Sequence, residues 1–150
     1  MRVRDMDDDV DPLTLENQVC FALAVASRTV IAAYRPVLEP MGLTHPQYLV
    51  MLALWERAPL SVKELSGLLQ LEPATLSPLL KRLEAAGLLE RRRAILDERA
   101  LSVVLTEQGR RLRDQAELVP AAIVERLGME VAELRELRLM LTRVIAAATG

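Results

Sequence analysis

The chain has 150 residues, 51% of them apolar, enough for one core with apolar surface left over. Aromatics make up only 3%, so Leu, Ala and Val must do the packing, which favours helices over a β-sandwich. The formal net charge of −2 conceals a division, because residues 60–113 hold ten Lys or Arg against seven Asp or Glu, a net +3 that leaves −5 for the rest.

The opening MRVRDMDDDVD is too charged to bury and is expected to be a flexible acidic tail over residues 1–11. It lacks the apolar stretch of a signal peptide, and no unbroken apolar run approaches the roughly 18 residues that span a bilayer. A cytoplasmic protein with no membrane association is therefore expected. One Cys cannot form an intrachain disulfide, and one His cannot seed a clustered Cys/His metal site, so neither a metal nor a cofactor is expected.

Asp11 followed by Pro12 predicts an N-cap and a long first helix through NQVCFALAVASRTVIAAYR, kinked or ended by Pro36. Val19 to Ala26 is apolar on nearly every side, so this helix must be covered all round. Thr44 and Gln47 have capping-box spacing and predict a helix over about 45–57, in which Tyr48 and Trp55 read as core. Ser61 and Glu64 repeat the device for a short helix ending near Leu69, and Pro73 and Gly87 bound the next one. On that helix Leu76, Leu79, Leu80 and Leu83 form one stripe, while Ala74, Thr75, Ser77, Pro78, Lys81 and Arg82 take the opposite, short and basic face.

After Gly87 the period changes to two, and LLERRR and ALSVVL predict an antiparallel hairpin over about 88–105. One helix is expected near 107–127. Another over about 130–148 has an apolar seam of Val131, Leu134, Leu137, Met140, Leu141 and Val144, suited to a second subunit.

Two capped helices, the second with a basic face, followed by an Arg-rich hairpin are the order of a winged helix-turn-helix. In this reading the second helix enters the major groove of double-stranded DNA, and the wing, with Arg91, Arg93, Asp97 and Arg99, reaches the adjacent minor groove. Arg99 is expected at the hairpin tip, with Asp97 able to orient an arginine. The fold expected is mainly α with a small β wing, an obligate dimer joined by its N- and C-terminal helices. Residues 12–43 and 107–150 would form the dimerisation region and 44–106 the DNA-binding region.

The stretch LKRLEAAGLLERRRAILDERALSVVLTEQGRRL resembles the wing region of the MarR family of bacterial regulators, including its Asp-x-Arg at Asp97, Glu98 and Arg99. NQVCFALAVASR, YRPVLEPMGLTHPQYLVMLALWE and LSPLLKRLEAAGLLERRR are similar to the OhrR subgroup, sensors of organic hydroperoxides, and the likeness covers about residues 13–113. The resemblance implies a homodimeric repressor on an inverted-repeat operator near a peroxidase gene, with no enzymatic turnover and no catalytic residues. It also implies that Cys20, standing where the subgroup's sensing cysteine stands, is oxidised by an organic hydroperoxide to release DNA.

Of the three tyrosines usual in the subgroup, Tyr34 matches, and Ala24 and His45 stand in the other two places. Cys20 and Tyr34 are about 21 Å apart along one helix axis, so Tyr34 and His45 would support the thiolate from the partner subunit. Position alone favours reading Cys20 as a small buried apolar residue, and the resemblance reverses that preference. Two alternatives stand beside the sensor reading. One is a regulator released by a lipophilic ligand with Cys20 inert; the other is a thiol peroxidase, against which stands the lack of an Arg or acid beside Cys20 on its helix turn.

Overall fold

The computed structural model describes residues 11–94 and 97–150, and the side chains of 11–93 and 101–150. Among the described residues, seven α-helices and three short strands follow in the order α1 (Val19–Leu38), α2 (His45–Arg57), β1 (Leu60–Ser61), α3 (Val62–Leu69), α4 (Pro73–Ala85), β2 (Leu89–Ala94), β3 (Asp97–Leu105), α5 (Glu107–Ala116), α6 (Val119–Leu127) and α7 (Val131–Thr149). The expected acidic tail falls on residues 1–10, outside the described residues, apart from Asp11.

Helix α1 begins later than Asp11 and Pro12 predict. The Asp11 carboxylate accepts the Leu13 N–H at 2.9 Å, and the Gln18 side-chain amide donates to the carbonyls of Pro12 and Thr14 at 2.6 and 2.9 Å. These side-chain bonds give the backbone an alternative to helix over 11–18. Only a short 3-10 turn, Leu15–Asn17, forms before Gln18 opens α1. Cys20 is thereby placed in the first turn. Pro36 does not stop the helix, which runs two residues further to Leu38, because a single missing N–H in a last turn removes only one bond.

The capping boxes form as their spacing predicts. Thr44 Oγ1 accepts the Gln47 N–H while the Gln47 side chain accepts the Thr44 N–H at 3.0 Å, and Ser61 and Glu64 repeat the exchange at α3. Between α3 and α4 the chain turns through Gln70 in the left-handed region at φ 52°, and Leu71 N–H bonds back to the Ser66 carbonyl. Gly87, at φ 79°, closes α4 with paired bonds from Gly87 N–H to Glu84 O and from Leu88 N–H to Leu83 O, both 3.0 Å.

Strands β2 and β3 form the expected antiparallel hairpin, with Arg91 opposite Val103 and Arg93 opposite Leu101. Strand β1, which no pattern in the sequence announces, pairs Leu60 with Val103 and makes the sheet order β1-β3-β2. The single helix expected over 107–127 is two. Pro120, in the first turn of α6, has no N–H to offer the carbonyl one turn back, and the break falls at Glu117 and Leu118.

The core lies under the helix-turn-helix. Leu38, Met51, Leu54, Leu65, Leu76, Leu80, Leu83, Leu89 and Val103 are each at most 1% exposed, and Met41, Leu43, Val119 and Ile123 extend the cluster to α1 and α6. Helix α1 rests on α6, yet Leu38 is its only buried residue, and among the described residues α7 buries none. Phe21, Val25, Ile31, Val131, Leu137, Met140, Val144 and Ile145 all stand exposed on the single chain. Val19–Met41 has a mean hydropathy of 1.3, long and apolar enough by length and composition to cross a membrane. Unbroken runs hide this stretch because Arg28 and Arg35 interrupt them.

Candidate nucleic-acid interface and thiol site

The two faces of α4 separate as the leucine spacing requires. Leu76, Leu79, Leu80 and Leu83 are buried, while Ala74, Thr75, Pro78, Lys81 and Arg82 are exposed and Ser77 half-buried. The outward face thus offers short side chains near the start of the helix and two cations one turn on, a surface that backbone and base edges of a duplex can approach closely.

Strand alternation divides the wing arginines. Arg92 projects away from α4 and pairs with Glu90 at 2.7 Å, both exposed. Arg93 is exposed. Arg91, expected among the outward contacts, instead turns back to α4, where Glu84 Oε2 accepts its backbone N–H at 3.0 Å and its Nε–H at 3.2 Å. This double bond from Arg91, its side chain first, holds the Glu84 carboxyl below its usual range. Asp97 and Arg99 lie on β3 by their backbone, and their side chains fall outside the described residues.

Cys20 is a free, exposed thiol on the second residue of α1, between Val19 and Phe21, which are also exposed. On the single chain Cys20 is exposed, as is most of α1 around it. Tyr34, which shares α1 with it, stands near the opposite end of that helix. There the fold gathers an aromatic cluster. The Tyr34 ring meets the His45 ring edge-on with centroids 5.0 Å apart, and the Tyr48 ring lies 5.9 Å from Tyr34. Burial raises the pKa of both tyrosines, with the neighbouring Tyr34 adding to the effect at Tyr48, and burial lowers that of His45. Tyr48 is buried in the core, as its place on α2 leads one to expect, and its ring also borders this cluster. The available signal was its i,i+3 spacing from His45 on α2, which puts both on one helix face. Ala24 is exposed on α1 and takes no part in the cluster.

Beside His45 a cleft of about 420 Å³ opens between α1 and the start of α2, lined by Ile31, Arg35, Leu43, Thr44 and Pro46. Trp55, half-buried, donates its indole N–H to the Gly109 carbonyl at 2.9 Å and so ties α2 to α5.

The sequence pattern of the transcriptional regulator SarA/Rot family matches residues 32–116. The chain is 39% identical over 89% of its length to the organic hydroperoxide resistance transcriptional regulator of Bacillus subtilis, of which it covers 90%. It is 46% identical over 85% of its length to the HTH-type transcriptional regulator TtmR of Methylorubrum extorquens, of which it covers 65%. Among solved structures, reduced AbfR of Staphylococcus epidermidis bound to DNA superposes with a TM-score of 0.77 at 36% identity, covering 90% of this chain and 92% of that one.

Proposed function

The chain belongs to the MarR family of winged-helix transcription regulators, in its OhrR-like branch, and on that premise we propose that it is a cytoplasmic, homodimeric DNA-binding repressor switched by organic hydroperoxides. The observation that carries the DNA role is the division of α4, with four leucines inward and Thr75, Lys81 and Arg82 outward. In a dimer with two such helices about 34 Å apart, each enters one major groove of an inverted repeat, and the wings with Arg93 and Arg99 approach the minor grooves. Ala74, Thr75, Ser77 and Pro78 let the helix approach base edges, and Lys81 and Arg82 meet phosphates. The apolar α1 is covered by a second copy of the chain rather than by lipid, which accounts for its bare surface.

The two ends of α1 support the sensing role. If the α1 helices of two subunits cross antiparallel, Cys20 of one meets the Tyr34–His45–Tyr48 cluster of the other. The phenol and imidazole N–H or O–H groups then orient a hydroperoxide. The Cys20 thiolate attacks the terminal peroxide oxygen, the O–O bond breaks, and the alkoxide leaves and takes up a proton as an alcohol. Cys20 is oxidised by two electrons to a sulfenic acid. With one Cys per chain, no second thiol of the same subunit resolves it, so reduction comes from another thiol molecule and no enzymatic turnover is expected.

A titration of a DNA duplex with the reduced dimer, with and without cumene hydroperoxide, tests the reading, with Cys20→Ser as the comparison. Peroxide is expected to abolish binding by the wild type and leave binding by Cys20→Ser intact. Loss of binding by the Ser variant as well would refute the thiol switch. The cleft beside His45 favours a second reading, release by a lipophilic ligand with Cys20 inert, and that reading predicts no effect of peroxide on either protein.

A further inference from the structure

Among the described residues, two carboxylates lie with the basic side chains of α4 and the wing, Glu84 and the exposed Glu90, and Glu84 is in an unexpected place. Glu84 lies in the last turn of α4, one turn beyond Lys81, where a free negative charge would repel a duplex. It is not free. Its Oε2 binds two donors of Arg91, one from the backbone and one from the guanidinium, at 3.0 and 3.2 Å. Strand β2 is the edge of the sheet, so the Arg91 N–H has no neighbouring strand on its open side, and Glu84 caps it. The pair is partly shielded, with side chains 23% and 40% exposed, unlike the open Arg92–Glu90 pair at 67% and 50%. Between the two residues the chain reverses through the Gly87 turn, so this contact joins the end of α4 directly to the root of the wing.

We propose that Glu84 and Arg91 form a clasp that fixes the angle between α4 and the wing, and that Arg91 is a positioning residue for DNA binding rather than a phosphate contact. The proposal rests on the DNA-binding reading above. Helix and wing address different grooves, so a rigid joint between them lets both engage without an ordering cost at the moment of binding. Removing Glu84 deletes a negative charge from a DNA-facing surface, yet the clasp requires that affinity falls.

The test uses the full chain and a duplex that the wild type enriches from a random-sequence pool, with affinity measured across a range of salt concentrations for Glu84→Gln, Arg91→Gln, their double variant and Lys81→Gln. Glu84→Gln and Arg91→Gln are each expected to lose about tenfold in affinity, the scale of a charge-assisted hydrogen bond. The double variant is expected to lose no more than either one. Arg91→Gln is expected to keep the wild-type slope of log K against log salt, whereas Lys81→Gln lowers it by about 0.9, as loss of one phosphate contact does. Binding by Glu84→Gln as tight as wild type or tighter, losses that add in the double variant, or a slope lowered in Arg91→Gln would each overturn the clasp. Circular dichroism checks folding; if Glu84→Gln does not fold, the slope and affinity of Arg91→Gln decide alone. A wild type that enriches no duplex overturns the DNA-binding reading and the clasp together, while a wild type that binds and variants that deviate as described separate the two.

Discussion

At the scale of single residues, His45 shows how a fold sets a side chain's chemistry. It opens α2 behind the Thr44 cap and lies against the Tyr34 ring, and burial holds its pKa below the ordinary 6.5. Below about pH 6.5 the unfolded chain therefore binds a proton that the folded chain resists, so stability rises with pH up to that value and falls as pH drops beneath it. Urea midpoints are expected to decline between about pH 7.5 and about pH 5.5 in the wild type, and less so in His45→Gln. Equal slopes in the two proteins would show that the imidazole is not shielded. The capping role of Thr44 was legible in four consecutive residues, THPQ, because a capping box needs only local spacing. The company of Tyr34 was not, because it depends on how α1 meets α2.

Among elements, the joint between α5 and the helix-turn-helix leaves no room for a side chain at Gly109. A Cβ built on Gly109 would fall 2.0 Å from the Leu88 carbonyl oxygen, a backbone atom that cannot swing aside. Trp55 bonds the Gly109 carbonyl, and Thr106 both caps Gly109 N–H at 3.0 Å and donates to the Gly87 carbonyl at 2.6 Å. Helix α5 is thus tied to α2 and to the turn that ends α4. Gly109→Ala is expected to cost about 2–3 kcal/mol, as overpacking against fixed atoms does, with a lowered melting temperature and an altered emission of Trp55, the sole tryptophan. Melting at the wild-type temperature would mean that the two segments do not approach this closely. The leucine stripe of α4 and the hairpin were readable from period alone, but the break between α5 and α6 was missed. Pro120 carried that signal, and the apolar content of VPAAIV outweighed it in the reading of a single helix.

For the whole molecule, the distribution of exposure decides what one chain can be. The core runs through the winged helix-turn-helix, Ala116 of α5 and the parts of α1 and α6 that touch it, while α7 and most of α1 hold large apolar side chains in the open. Surfaces of that kind are covered in use, and the proposed homodimer accounts for both at once. Leu137→Glu, 45% exposed on α7 in the single chain, is expected to shift the protein from dimer to monomer in sedimentation and to weaken operator binding, since two half-sites are no longer held together. A dimer of unchanged stability in that variant would place the interface elsewhere. The sequence by itself determined the winged helix-turn-helix: its caps, its leucine period and its change to period two are interactions between residues a few positions apart, which chain order records directly. Only the tertiary structure decided that α1 starts at Val19, that Leu60–Ser61 joins the sheet, that Tyr48 stands beside Tyr34 and that Arg91 turns to Glu84. Each of these depends on where packing around the shared leucine core brings segments together, or on side-chain bonds that compete with a helix, and linear spacing does not encode either.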